Sequence, residues 1–182
     1  MSNEENKGEG LSSQAVSMAM KGGGWYNNNS KIQALAIPYS LLLVDKAVEA
    51  LNIENCNIEE FRIIDYGASQ GGNSLAIMDR IIERVRSEKN FSNITVIHED
   101  LQTNDWNTLF NTVYNNANSY WKKHENVFVY GSGRSFYDRI APSNSINFAY
   151  SDIALHWLSK VPSKIKNTGL IHAAADDWKR IL

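Results

Sequence analysis

The sequence predicts an α/β fold: a parallel sheet with helices on both faces. Two observations carry this. Three short apolar runs ending in an acid or a glycine, FRIIDYG, ITVIHEDL and NVFVYG, read as buried strands. The longer segments between them repeat their apolar residues at helical spacing, and strands alternating with amphipathic helices form parallel sheets covered by those helices.

Taken in order, residues 1–12 are polar and without apolar anchors, and are expected to be disordered; Ser13 to Met20 suits a short helix. The segment MKGGGWYNNNSKIQ follows, with the Gly and Asn content of a linker. KIQALAIPYSLLLVDKAVEALN then reads as one long helix, Pro38 near its start and Leu41, Leu42, Val44, Val48 and Leu51 on its apolar side. FRIIDYG is the first strand. SLAIMDRIIERVRS is a helix burying Leu75, Met78, Ile81, Ile82 and Val85. After the strand ITVIHEDL, WNTLFNTVYNNANSYW puts Trp106, Leu109, Phe110, Val113, Ala117, Tyr120 and Trp121 on one helical stripe. NVFVYG and INFAYS are further strands, DIALHWLSKV is a helix stopped by Pro162, and GLIHAAA is a fourth strand or an inserted loop. Residues 13–182 thus read as one domain.

Composition narrows the function classes. The chain has 182 residues, 43% hydrophobic and 21% charged, the range of an ordinary globular domain. Its net charge of −2 comes from interleaved signs, which gives no nucleic-acid footprint. No apolar run approaches membrane-span length, and the acidic N-terminus is unlike a signal peptide. A single cysteine, Cys56, excludes an internal disulfide and a cysteine-built metal site. A cytoplasmic protein is the expectation.

In open parallel sheets ligands bind at the carboxyl ends of the strands, where strand order reverses. Asp65, Gly67, Asp100 and the loop after Tyr130 should gather there. The stretch IIDYGASQGGNS runs strand, acid, glycine loop, helix, and a helix start at about Asn73 offers free N–H donors. It lacks the second glycine of the dinucleotide fingerprint. Its D-x-G-x-x-x-G form is similar to the first motif of S-adenosylmethionine-dependent methyltransferases. On its own, the loop could merely shape a turn.

Four ordered segments together resemble the SABATH methyltransferases, which methylate small carboxylic acids or the ring nitrogens of xanthine alkaloids. MKGGGWYNNNSKIQ keeps the mutual spacing of Tyr26, Asn29, Ser30 and Gln33 in the family's opening pattern. Asp65 to Asn73 corresponds to D-L-G-C-S-S-G-P-N, and EDLQTNDWNTLF to N-D-L-P-G-N-D-F-N-x-L-F. RSFYDRIAP followed by NFAYSDIALHWLSKVP corresponds to the fourth block, which ends at Pro162. The resemblance turns the opening segment from a linker into an arm that closes over a ligand. It implies a Rossmann-like methyltransferase sheet whose cofactor is S-adenosylmethionine. Tyr26, Ser30, Asp65, Gly67, Ala68, Asn73, Asp100, Leu101, Ser135 and Phe136 would hold the cofactor, with Asp100 on the ribose hydroxyls. The alternatives are loop capping by Asp65 and Asp100 and plain core packing by Phe136.

On the substrate side the resemblance implies Gln33, Ile153, His156 and Trp157, with Gln33 and Trp157 donating to a carboxylate. Core packing is the alternative for Trp157 and His156. No residue is expected as a general base, since a carboxylic acid of pKa about 4 is already ionised at neutral pH. Asn167 matches a residue that contributes to a bound Mg2+ in some family members, although the other ligands would lie beyond this chain. Family members are commonly homodimers of about twice this length, so the resemblance implies their N-terminal half without most of the helical cap. The chain departs from the family at Trp25, Ala68, Gly72 and Ile153, the last replacing a common tyrosine. Two functions follow: carboxyl methylation of a small-molecule acid, or a non-catalytic cofactor-binding or interaction module.

Overall fold

The computed structural model describes residues 22–55 and 58–157. Expectations that fall on residues 1–12, Ser13 to Met20, Cys56, Asn167 and GLIHAAA lie outside them. The described chain begins with two short helices, α1 (Trp25–Asn29) and α2 (Lys31–Ala34), followed by α3 (Ile37–Glu49) and a 3-10 turn at Ile53–Asn55. Then come β1 (Glu60–Tyr66), α4 (Ser74–Glu88), β2 (Asn93–Asp100), α5 (Trp106–Asn115), α6 (Tyr120–Lys123), β3 (Val127–Gly133), β4 (Phe148–Ser151) and a 3-10 turn at Ile153–His156.

The strands form one sheet in the order β3-β2-β1-β4. Every pairing is parallel, with Asp65 opposite His98 on β2 and Tyr150 on β4. Strand order reverses beside β1, so the switch point lies at its carboxyl end.

Alternation along the strands explains the core. Phe61 and Ile63 of β1, Ile94 and Val96 of β2 and Val127 of β3 point to one face and join one cluster with Val44, Val48, Met78, Ile81, Ile82, Leu109 and Val113 from α3, α4 and α5. The opposite face is less covered among the described residues: Phe128 and Tyr130 on edge strand β3 are exposed.

Two helices are shorter than their periodicity suggests. The long helix from Lys31 is broken at Leu35 and Ala36, because Pro38 has no N–H to donate and takes an early position in a new helix, α3. Val44 and Val48 are buried as expected, but Leu42 and Leu51 are exposed. The stripe from Trp106 to Trp121 is cut at Asn116, whose extended backbone (ψ 133°) ends α5. Ser119 starts α6 by accepting from the Trp121 N–H, which buries Tyr120 and leaves Ala117 and Trp121 exposed.

Candidate functional site

A pocket of about 380 Å³ opens at the carboxyl ends of β1, β2 and β4, within the roughly 300–1,000 Å³ typical of small-molecule sites. The glycine loop forms its floor. Gly67 and Gly71 have φ of +74° and +80°, the left-handed region that glycine tolerates best. A side chain at Gly67 would put its Cβ 2.2 Å from that of Ala154, so the loop packs directly on the turn after β4. The Gly67 and Ala68 N–H groups both donate to the Glu99 carbonyl at 2.9 Å, which ties the loop to β2.

Asp100 ends β2 beside this loop. Its carboxylate accepts from the Ser69 N–H and the Leu101 N–H, each at 2.7 Å, and it also lines the pocket. Loop capping and a ligand-facing position therefore coincide in one side chain. Burial pushes Asp100 above the usual carboxylate range, partly offset by those two N–H donors. Asp152, after β4, is raised by burial and then by the Asp65 charge. Asp65 is buried, lines the pocket and bonds to His98 Nδ1 at 2.9 Å.

The opening segment is a latch on the loop. Gly23 donates to Asp105 Oδ2 at 2.7 Å. Asn27 Oδ1 accepts from the Gly72 N–H at 3.0 Å, and its amide donates to the Gln70 carbonyl and to Thr112 Oγ1, each at 3.2 Å. A Cβ at Gly72 would stand 2.5 Å from Asn27 Oδ1, and the family's proline would also lack the N–H that Asn27 accepts from. With proline there, the Asn27 side chain would have to move and lose this bond. Tyr26 thereby enters the pocket, hydrogen-bonded by the Asn73 side chain; burial and then the Asp152 charge push its phenol up.

Most of the predicted site residues converge. Tyr26, Asp65, Gly67, Ala68 and Asn73 line the pocket, as do Asp100, Leu101, Ser135 and Phe136. Gln33, Ile153 and Trp157 line it too. Ser30 is the exception: it is buried at the junction of α1 and α2, outside the lining. The His156 side chain and Asn167 lie outside what is described. No cluster of three or more His, Cys, Asp or Glu suited to a metal occurs among the described residues. Tyr66, Tyr137, Tyr150 and Asp152 line the pocket without having been predicted, as do Thr103 and Asn104. Tyr137 donates to the Trp157 carbonyl at 2.7 Å, joining the loop after β3 to the end of the pocket wall. The latch partners Asn27, Gln70 and Asp105 were also missed. Only Asp105 carried a local signal, the D-x-x-T start of a helix, where its Oδ1 accepts from the Thr108 N–H.

The residues fit S-adenosylmethionine on their own chemistry. Asp65, Asp100 and Asp152 line the pocket, and no Lys, Arg or His does so among the described residues, which suits a ligand carrying an ammonium and a sulfonium. Ser69 Oγ is buried beside Asp100 with no partner in the described chain, a hydroxyl left for a polar ligand.

Comparison with known proteins agrees. The family model described as SAM dependent carboxyl methyltransferase matches residues 14–177. Loganic acid O-methyltransferase of Catharanthus roseus is 37% identical over 172 residues, covering 84% of this chain and 44% of that protein. Salicylate/benzoate carboxyl methyltransferase of Arabidopsis thaliana is 31% identical over 152 residues, 80% of this chain and 40% of that protein. A solved structure of loganic acid methyltransferase with SAH superposes with a TM-score of 0.68 at 36% identity, covering 82% of this chain and 43% of that one. The chain thus spans less than half the length of these relatives. With most of the predicted cofactor residues gathered at one switch point and a family match over nearly the whole chain, this protein belongs to the S-adenosylmethionine-dependent carboxyl methyltransferases that its four motif blocks resemble.

Proposed function

We propose that the chain binds S-adenosylmethionine and transfers its methyl group to the carboxylate of a small-molecule acid. The observation that carries this reading is the anionic pocket at the switch point, with Asp65, Asp100 and Asp152 in its wall and the Asn27 latch closing the glycine loop. When bound, S-adenosylmethionine supplies an electrophilic sulfonium methyl. Asp100 is suited to accept from ribose hydroxyls, and Asp65 and Asn73 to receive the amino-acid end. Gln33 and Trp157 bring amide and indole N–H donors to the same pocket, where they can orient a carboxylate. Neither removes a proton, because the acid is already ionised. The chain's contribution is alignment and exclusion of water, the latter through the arm and Tyr137.

Residues 13–182 belong to one methyltransferase domain in this reading. No helix among the described residues is long and apolar enough to cross a membrane, and a cytoplasmic location is part of the proposal. So is a homodimer, supported by exposed Ile32, Tyr39, Leu42 and Leu43 on α2 and α3 and Leu35 between them; sedimentation velocity tests it.

The test of the site is calorimetric titration with S-adenosylhomocysteine. Binding should weaken by about tenfold or more in Asp100→Ala, the loss expected for charge-assisted hydrogen bonds. A folded protein with no binding would overturn the reading. Binding without methyl ester formation on a panel of small acids would favour the non-catalytic module, for which the half-length match is the motivating observation.

A further inference from the structure

Behind the pocket, outside its lining, a buried polar chain runs from α6 to Asp65. Tyr120 Oη lies 2.8 Å from His98 Nε2, and His98 Nδ1 lies 2.9 Å from Asp65 Oδ2. His98 and Tyr120 are fully buried and Asp65 is 2% exposed. The fold builds this chain from the strand register, which sets His98 directly beside Asp65, and from Ser119, which turns α6 so that Tyr120 faces inward.

Burial, and next the Asp65 charge, raise the Tyr120 phenol well above its ordinary range, so it keeps its proton. An ionised carboxylate only accepts, so His98 Nδ1–H donates to Asp65; in the neutral imidazole Nε2 is then the acceptor for the Tyr120 O–H. One Asp65 oxygen is thus held from behind, while the same carboxylate lines the pocket in front.

We propose that His98 and Tyr120 are positioning residues that fix the Asp65 carboxylate toward the cationic amino-acid end of the ligand. This rests on the reading of the pocket as an S-adenosylmethionine site and deepens it. Neither side chain touches the ligand. Their effect is confined to whatever Asp65 contacts.

Confinement supplies the test. Tyr120→Phe in the full chain removes one hydroxyl and little volume. It should weaken S-adenosylhomocysteine by about three- to tenfold, the worth of one hydrogen bond. Methylthioadenosine lacks the amino-acid end, and its affinity should stay unchanged. His98→Leu should weaken S-adenosylhomocysteine further, whereas His98→Asn keeps an N–H near the Nδ1 position and should recover most of that loss. A general structural role would weaken both ligands together, and that result would overturn the inference. So would equal affinity of all the variants for S-adenosylhomocysteine. If the unaltered chain failed to bind S-adenosylhomocysteine, the reading of the pocket would fall and this inference with it. If Tyr120→Phe fails to fold, the comparison of His98→Leu with His98→Asn decides.

Discussion

Glu99 shows what one buried acid costs. Its side chain is out of solvent, with Oε2 accepting from the Gly67 N–H at 3.2 Å and Oε1 unpartnered among the described residues. Burial, then the charges of Asp100 and Asp65, push its carboxyl from 4.5 up to about 7, against the Gly67 hydrogen bond that favours the ion. The folded state therefore holds a proton that the unfolded chain has already released. Between about 4.5 and about 7 stability falls as pH rises, and above that range the penalty is complete. Glu99→Gln keeps the shape and an acceptor for the Gly67 N–H but cannot ionise. The variant should be more stable than the unaltered chain at about pH 8, by on the order of 1–3 kcal/mol, with the difference vanishing below the unfolded carboxylate range. Melting temperatures of both proteins across this range check it. Asp100 and Asp152 shift in the same direction but are common to both proteins, so they cancel. A variant no more stable at high pH would mean that Glu99 is ionised at little cost.

The arm is the element whose role is least visible in local composition. GGGWYNNNS reads as a linker because Gly and Asn favour turns and disorder, and no residue of α1 is buried. What orders it is Asn27, whose partners Gln70, Gly72 and Thr112 lie 43, 45 and 85 residues away. No periodicity encodes such pairs. Asn27→Ala should therefore leave the melting temperature nearly unchanged while speeding S-adenosylhomocysteine release by roughly tenfold, because the latch acts on escape rather than on the core. Stopped-flow displacement measures it, and an unchanged release rate would show that the arm does not gate the pocket. The strands contrast with the arm. β1 and β2 were legible because a parallel strand buried between neighbours is written as an unbroken apolar run, and edge strand β3 because its sequence carries a similar run although much of it is exposed. The helix breaks at Ala36 and Asn116 were not, since the apolar stripe continues across both: at Ala36 it is Pro38 opening a new helix that interrupts it, and at Asn116 a turn to extended backbone.

At the scale of the molecule, the candidate site was legible where motif blocks carried it and obscure where chain crossings did. Asp65, Asp100 and the glycine loop follow from strand ends at a switch point. Asp152 and Tyr137 become pocket residues only because β4 pairs with β1 and the loop after β3 reaches Trp157. Every described side chain in the pocket wall lies between Tyr26 and Trp157, in a chain spanning less than half the length of its relatives. Of the residues proposed for the acceptor, Gln33, Ile153 and Trp157 are described in that wall. Cofactor binding should then couple to the stability of the whole described body, because β1, β2, β4 and the arm all border the pocket. Ligand at about a hundredfold above its dissociation constant stabilises the folded state by about 2.7 kcal/mol, which for a chain of this size raises the melting temperature by about 5–10 °C. A thermal shift of that size with S-adenosylhomocysteine, growing with the logarithm of its concentration, is the expected result. A folded chain whose melting temperature ignores saturating S-adenosylhomocysteine would show that the pocket does not bind the cofactor, whatever its resemblance to the family.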